Sequence, residues 1–309
     1  MAEGYFSCME IIRTVKEMQA ASFAVKRSGR RVALVPTMGA LHEAHVALMR
    51  KARDQGAAVV VSVYVNPTQF GPREDFKQYP RDLQADGLVC QRERVDAIFA
   101  PADDEMYPGG IWQAQTSSTG QVAVPSAILG MQYSTFIEEN VLARRFEGER
   151  RPGHFRGVCT VVAKLFNIVQ PDFAMFGEKD FQQLKVVQRM VRDLCYPIEI
   201  VPVATVREPD GLAMSSRNQG LSGSERAQAT VLWKALSVAH DLFNAGEHNT
   251  HRLEAAMQRT VALAPSARLD YAQIVNAESL EPVNEAQRGN VALIAAHIGK
   301  VRLIDNLIL

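Results

Sequence analysis

Apolar positions along this chain alternate between two spacings. Cys8, Ile11, Ile12, Val15 and Met18 recur at helical spacing, which predicts an opening amphipathic helix. A compact apolar run at residues 31–35, stopped by Pro36 and Gly39, reads as a buried strand. Helical spacing returns over 41–54, and a second β-rich run, AAVVVSVYV, fills 57–65. Further strands are expected at 95–99, 173–176 and 198–206, with helices over 158–169 and 181–194. Strand–helix alternation with nearly continuous apolar strands implies a parallel sheet covered on both faces. Ligands of such sheets bind beyond the carboxyl ends of the strands, which directs attention to the loops after Val35, Val65, Phe176 and Val206.

Beyond about residue 205 the texture changes. Ser222 and Glu225 form an S-x-x-E capping box ahead of a long helix running through Phe243, and Asn249 or Thr250 starts another. Strand patterns at 269–275 and 291–298 and an apolar segment at 301–309 complete a smaller unit. The expectation is two domains. Residues 1–205 form a Rossmann-like α/β domain, a parallel sheet with helices on both faces, and residues 206–309 a smaller C-terminal α+β lid domain. Residues 110–140 read as a long, weakly patterned excursion.

Composition narrows the classes. Of 309 residues, 47% are hydrophobic and 22% charged, the balance of a folded globular protein. Lys plus Arg, 34, equals Asp plus Glu, 34, so the chain lacks the basic excess typical of nucleic-acid binders. The densest basic stretch, Arg144, Arg145, Arg150, Arg151 and Arg156, is diluted by Glu147 and Glu149 and reads as a local anion site or a solvated face. Four cysteines, Cys8, Cys90, Cys159 and Cys195, contain no CxxC pair and fit a reduced compartment. The N-terminus has no signal-peptide pattern, and the longest apolar run is far too short for a membrane span. No nucleic-acid or membrane partner is expected, and the expected location is cytoplasmic.

Candidate chemistry starts in the loop after the first predicted strand, PTMGALHEAH, residues 36–45. It matches neither the dinucleotide fingerprint nor the P-loop. What it offers is a glycine turn and a helix start carrying His42 and His45, where free N–H groups and the positive dipole end attract phosphate. Imidazoles at this spacing can add donors to the same anion. The pair also suits zinc, although no third ligand is nominated, or an ordinary solvated surface. His248 and His251 share the spacing in a polar stretch and read as a solvated helix start. Amides at 66–71, the charged run at 177–183 and the hydroxyl–guanidinium cluster at 214–218 follow successive predicted strands or the domain boundary. Together these loops fit a nucleotide triphosphate site.

The segments PTMGALHEAH, VNPTQF, RPGHFRGV, FGEKDFQQL, DGLAMSSRN and RLIDN, in that order between residues 36 and 306, closely resemble those of the pantoate–β-alanine ligases. The resemblance implies that Met38, Gly39, Ala40, Leu41, His42, Glu43, Ala44 and His45 form the ATP loop. His42 and His45 would face the phosphates, with His45 at the matching catalytic position. It further implies ATP contacts from Gly177, Glu178, Lys179 and Asp180, from Val206, and from Met214, Ser215, Ser216 and Arg217. Lys179 joins the histidines as a catalytic candidate. Gln69 and Gln183 would hold pantoate, with Asn66, Arg151 and His154 further substrate-binding candidates. Mg2+ accompanies ATP in the family, with Asp86 a candidate indirect partner; metal ligands are otherwise unassigned. A homodimer is also implied.

The implied reaction has two steps, adenylation of pantoate by ATP and then attack of the β-alanine amine to release AMP. Positioning and charge stabilisation dominate such chemistry. A nucleotidylyltransferase would instead keep the nucleotide in its product, and a silent nucleotide-binding regulator would turn nothing over. Two departures from the family pattern stand out: Ala44 occupies a position normally held by glycine, and the stretch 109–146 is longer than usual.

Overall fold

The computed structural model describes residues 9–71, 76, 79–110 and 133–309. Cys8 and most of the 110–140 excursion lie outside the described residues. Six strands, β1 (Glu10–Ile12), β2 (Val32–Thr37), β3 (Ala58–Val63), β4 (Ala97–Phe99), β5 (Phe173–Gly177) and β6 (Glu199–Val203), form one sheet in the order β1-β4-β3-β2-β5-β6. Every pairing is parallel. The apolar runs are continuous because both faces are covered. Leu34 and Val60 pack into one core with α1 (Val15–Arg27). Their neighbours Val35 and Val61 pack into a second core with α2 (Glu43–Asp54) and Cys90 of α3 (Leu83–Arg92).

Two short helices, α4 (Asp103–Met106) and α5 (Glu147–Arg150), precede α6 (His154–Val169) and α7 (Phe181–Asp193). α6 and α7 complete the core that includes Leu34. The C-terminal unit contains α8 (Gly223–Ala229), α9 (Val231–Asn244) and α10 (Thr250–Val261), packed on an antiparallel sheet. That sheet runs β7 (Ala267–Val275), β8 (Val291–Ile298), β9 (Val301–Ile308). Leu236, Leu253, Ile274 and Ile294 lie at its centre.

Several details depart from the sequence reading. The opening segment is not one helix: Ile11 and Ile12 pair with β4, and α1 begins only after Thr14, whose hydroxyl caps Glu17 N–H at 3.2 Å. A β-branched pair beside an open strand edge outweighs the helical spacing. α3 was not expected, since its apolar positions are few; Asp82 caps it at Ala85 N–H, 2.9 Å. α6 begins at His154, four residues before the expected start at 158. The Ser222–Glu225 capping box is present with both reciprocal hydrogen bonds, yet the helix behind it is split at Thr230. The Thr230 hydroxyl donates back to Ala227 O at 3.0 Å, a contact that bends helices.

Ionic contacts tie the C-terminal sheet to the parallel-sheet unit. Buried Glu147 receives Arg302 at 2.6 and 2.8 Å and the Tyr271 hydroxyl at 2.9 Å. Asp270 bridges Arg302 and Arg150 at 2.9 Å each. Burial pushes the Glu147 carboxyl up, but Arg302 and Tyr271 outweigh it and hold the group below its ordinary value.

Candidate active site

The loop after β2 is shaped by a glycine and a carboxylate. Gly39 has φ +84°, and a Cβ there would lie 2.8 Å from Asp86 Oδ2. Asp86, buried on α3, accepts the N–H groups of Ala40 at 3.2 Å and Leu41 at 2.8 Å. Both its oxygens are engaged by the loop. Asp86 therefore holds the loop's backbone. Burial raises its pKa, while the Leu41 and Ala40 N–H groups oppose the rise.

The two histidines form the cap of α2. His42 is the N-cap, so the helix starts two residues later than expected, and its Nδ1 accepts Ala44 N–H at 3.3 Å. His45 Nδ1 accepts His42 N–H in return, at 3.2 Å. This is a reciprocal capping box built from imidazoles in place of Ser and Glu. Because each Nδ1 is an acceptor, each neutral ring carries its proton on Nε2. Burial, then His42, pushes His45 down to about 3; burial, then the Lys179 charge, lowers His42. Both rings are thus neutral near pH 7 and present Nε2–H donors, with centroids 4.2 Å apart.

Amides line the same cleft. Gln69, at the end of a 3-10 turn after β3, accepts Asn66 Nδ2 on its Oε1 at 3.1 Å, and its own Nε2 points to Met38 Sδ at 3.0 Å. Asn66, 1% exposed, also donates to Gly157 O and accepts the Tyr107 hydroxyl at 2.7 Å. Its polar atoms are engaged by protein, so it sets the Gln69 amide rather than offering a group of its own. Gln183, on α7, lines the same space, and its side chain makes no protein hydrogen bond among the described residues. Buried His154 links Arg151, at 2.9 Å from Nε2, to Gln69 O, at 2.9 Å from Nδ1. Guanidinium can only donate and carbonyl only accept, so this ring carries its proton on Nδ1.

The third wall carries charge. Lys179 and Asp180 lie in the turn after β5, with Lys179 Nζ 3.5 Å from the Asp180 carboxylate. Burial raises the Asp180 carboxyl, but the charges of Lys179 and Arg217 hold it below its ordinary value. Ser215 caps the turn that follows it, accepting Arg217 N–H at 3.3 Å, and Ser216 lies 3.4 Å from the Tyr79 hydroxyl. Met214 N–H donates to Val206 O at 3.0 Å, closing this wall into a loop.

These walls enclose a cleft of about 940 Å³, at the upper end of small-molecule sites. The structure brings together Met38, His42, Ala44, His45, Asn66, Gln69, Arg151, His154, Gly177, Lys179, Asp180, Gln183, Val206, Met214, Ser215, Ser216 and Arg217 along its lining. Gly39, Ala40, Leu41, Glu43 and Glu178 are not on the lining; the first three shape the loop by their backbone. Among the described residues no three His, Cys, Asp or Glu side chains form a metal cluster. The sequence reading missed the loop-holding role of Asp86, and it missed Tyr107 and the C-terminal residues His297, Arg302 and Asn306, which also border or support the cleft. For Asn306 a signal existed: Asp and Asn are depleted in strands, yet they sit together in β9.

Comparisons with known proteins agree with this geometry. Residues 10–308 match the family model described as pantoate-beta-alanine ligase. A pantothenate synthetase from Rubrobacter xylanophilus is 49% identical over 297 residues, covering 96% of this chain and 97% of the relative. A crystal structure of pantothenate synthetase from Thermus thermophilus superposes with a TM-score of 0.86 at 44% identity, covering 97% of this chain and 99% of that one. That of a Francisella tularensis pantoate-beta-alanine ligase, complexed with beta-gamma ATP and beta-alanine, gives 0.74 at 30% identity, covering 97% and 98%. With the match running from the first strand to the last, and the motif residues gathered in one cleft, the chain belongs to the pantoate–β-alanine ligase family.

Proposed function

We propose that this protein condenses pantoate with β-alanine, with ATP converted to AMP and pyrophosphate through a pantoyl adenylate. The observation that carries this reading is one cleft lined by two kinds of donor, a phosphate wall of imidazole and cationic groups and an amide wall of carboxamides. His42, His45, Lys179 and Arg217 supply neutral and cationic donors, and Gln69 and Gln183 supply carboxamides. In the first step a pantoate carboxylate oxygen bonds to the α-phosphorus and pyrophosphate leaves with the electrons of the broken P–O bond. Negative charge grows on the phosphate oxygens, where preorganised N–H donors act most strongly. In the second step the unprotonated β-alanine amine attacks the acyl carbon and AMP leaves; the amine proton passes to solvent.

The capping geometry decides what the histidines can do. With both Nδ1 lone pairs occupied by backbone N–H groups, neither ring has an acceptor free for a substrate proton. They serve as donors to phosphate, not as general bases. On the amide wall, Asn66 holds Gln69 Oε1 and so orients the amide; one Nε2–H meets Met38 Sδ and the other is left for a carboxylate or hydroxyl of the acid. A carboxamide does this without repelling the nucleophile.

Mg2+ is proposed to enter on the triphosphate. Such an ion takes most of its ligands from phosphate and water with one or two carboxylates at most, and Asp180 is the carboxylate on the cleft lining beside the phosphate wall. Arg151 and His154 are assigned to the substrate side, near the acid or amine. The domain division near 205, a homodimer and a cytoplasmic location are carried as proposals from the sequence reading. A separate C-terminal core supports the division, and no helix among the described residues is long and apolar enough to cross a membrane.

The test is product analysis. Protein incubated with ATP, Mg2+, pantoate and β-alanine should give AMP and pantothenate in equal amounts. Without β-alanine it should exchange labelled pyrophosphate into ATP only when pantoate is present. A product that retains the nucleotide, or ATP binding with no turnover, overturns the reading.

A further inference from the structure

The turn that presents Lys179 is held from the far end of the chain. The Asn306 carboxamide, on β9 and 6% exposed, donates both its N–H bonds across the interface between the two sheets' units. They reach Glu178 O at 2.8 Å and Lys179 O at 2.9 Å. Those carbonyls lie beyond the end of β5, where no neighbouring strand pairs with them. Among the described residues the one side-chain hydrogen bond of the Lys179 ammonium, to Asp180, is long at 3.5 Å, so the backbone of its turn is the tighter constraint on where it stands.

Asn306 is itself fixed on two sides. Its N–H donates to Asp305 Oδ1 at 2.8 Å, and its carbonyl accepts Arg207 Nη2 at 3.2 Å. Arg207 in turn forks onto buried Asp305 at 2.6 and 3.0 Å and stacks 3.9 Å over the Trp233 ring. A bidentate guanidinium–carboxylate pair has little freedom of angle. The side chain that caps the Lys179 turn is therefore braced against Arg207, the residue after Val206 on the cleft lining.

We propose that Asn306 is a positioning residue for ATP: it sets the Lys179 turn, so that the C-terminal strand completes the phosphate wall. The proposal rests on the ligase reading above. Its chemistry demands this side chain. Two acceptor carbonyls need two donors on one short, neutral group; an aspartate of the same shape would set oxygen against oxygen.

The experiment measures pantoate-dependent pyrophosphate exchange in four proteins: parent, Asn306→Asp, Lys179→Ala and the double variant. Misplacement of a reacting group by about 1 Å costs roughly 10²-fold in rate. Asn306→Asp should show a loss of that order, with the pantoate KM unchanged. In the Lys179→Ala background the same substitution should cost nothing further, because its effect runs through Lys179. Equal losses in both backgrounds, or no loss in either, overturn the proposal. Should Asn306→Asp fail to fold, Asn306→Ala, which removes the donors without adding charge, carries the same comparison; if both unfold, Asn306 belongs to the fold and the proposal is overturned. A parent with no pantoate-dependent exchange instead overturns the ligase reading on which the proposal stands.

Discussion

Gly39→Ala probes the hold of Asp86 on the nucleotide loop. The residue sits at φ +84°, where an alanine costs about 1–2 kcal/mol in backbone energy alone. Its methyl would also stand 2.8 Å from Asp86 Oδ2 and 3.2 Å from Val63 Cγ1. Val63 is packed on the sheet, so the carboxylate must yield. That carboxylate accepts Ala40 and Leu41 N–H, and a hydrogen bond to a charged group contributes about 1.5–3 kcal/mol. The strain and one lost bond together come to about 2.5–5 kcal/mol. Calorimetry should show a fall in Tm on the order of 10 °C, and pyrophosphate exchange should drop because His42 is the next residue beyond the displaced loop. Adding Asp86→Ala removes the clashing atom, so the double variant should lose less stability than the two single losses summed. A Gly39→Ala protein that melts and exchanges like its parent would falsify the account of this loop.

Burial holds His45 neutral, with its pKa lowered from 6.5 to about 3, so below pH 6.5 the unfolded chain binds a proton that the folded chain refuses. Stability should therefore fall as pH drops from 6.5 toward 3. Between pH 7 and pH 5, urea unfolding of the parent should lose about 2 kcal/mol more than that of His45→Ala; matching slopes would show the ring is not held neutral. Gln69→Ala should raise the pantoate KM far more than the ATP KM, and a loss confined to ATP would show the amide is misassigned. Ala44→Gly should tighten ATP binding by removing a methyl from the cleft lining, while costing up to about 1 kcal/mol of helix stability. Titration calorimetry showing no gain in ATP affinity would end that explanation of the departure. Glu147→Gln leaves Arg302 paired with the Asp270 carboxylate alone, and losing a charged hydrogen-bond partner costs about 1.5–3 kcal/mol, so chemical unfolding should detect it; a change under about 1 kcal/mol would mean that the contact between the two units is solvated.

Much of the α/β framework was legible from the spacing of apolar residues, because a strand buried on both faces must be apolar at every position. The runs at 31–35 and 57–65 are such strands, and their alternate residues enter opposite cores. The glycine turn and histidine pair after β2 were legible for a similar reason: turn and cap chemistry is written within a few residues. Ile11 and Ile12 were misread because only a partner strand, 87 residues away at Ala97–Phe99, gives them their conformation. The same limit applies within the cleft. His42 and His45 could be named as donors from sequence, but their neutral state and Nε2–H form follow from burial and from which backbone N–H each Nδ1 accepts. Asn66 looked like a ligand and is a brace for Gln69, since its capacity is spent on Tyr107, Gly157 and its own turn. Asp86 reaches the loop across 45 residues and Asn306 reaches Lys179 across 127, separations at which no local pattern constrains the partner. The sequence determined which segments could form strands, helices and a phosphate-facing turn; tertiary packing decided which polar groups were consumed in holding those segments and which were left facing the cleft.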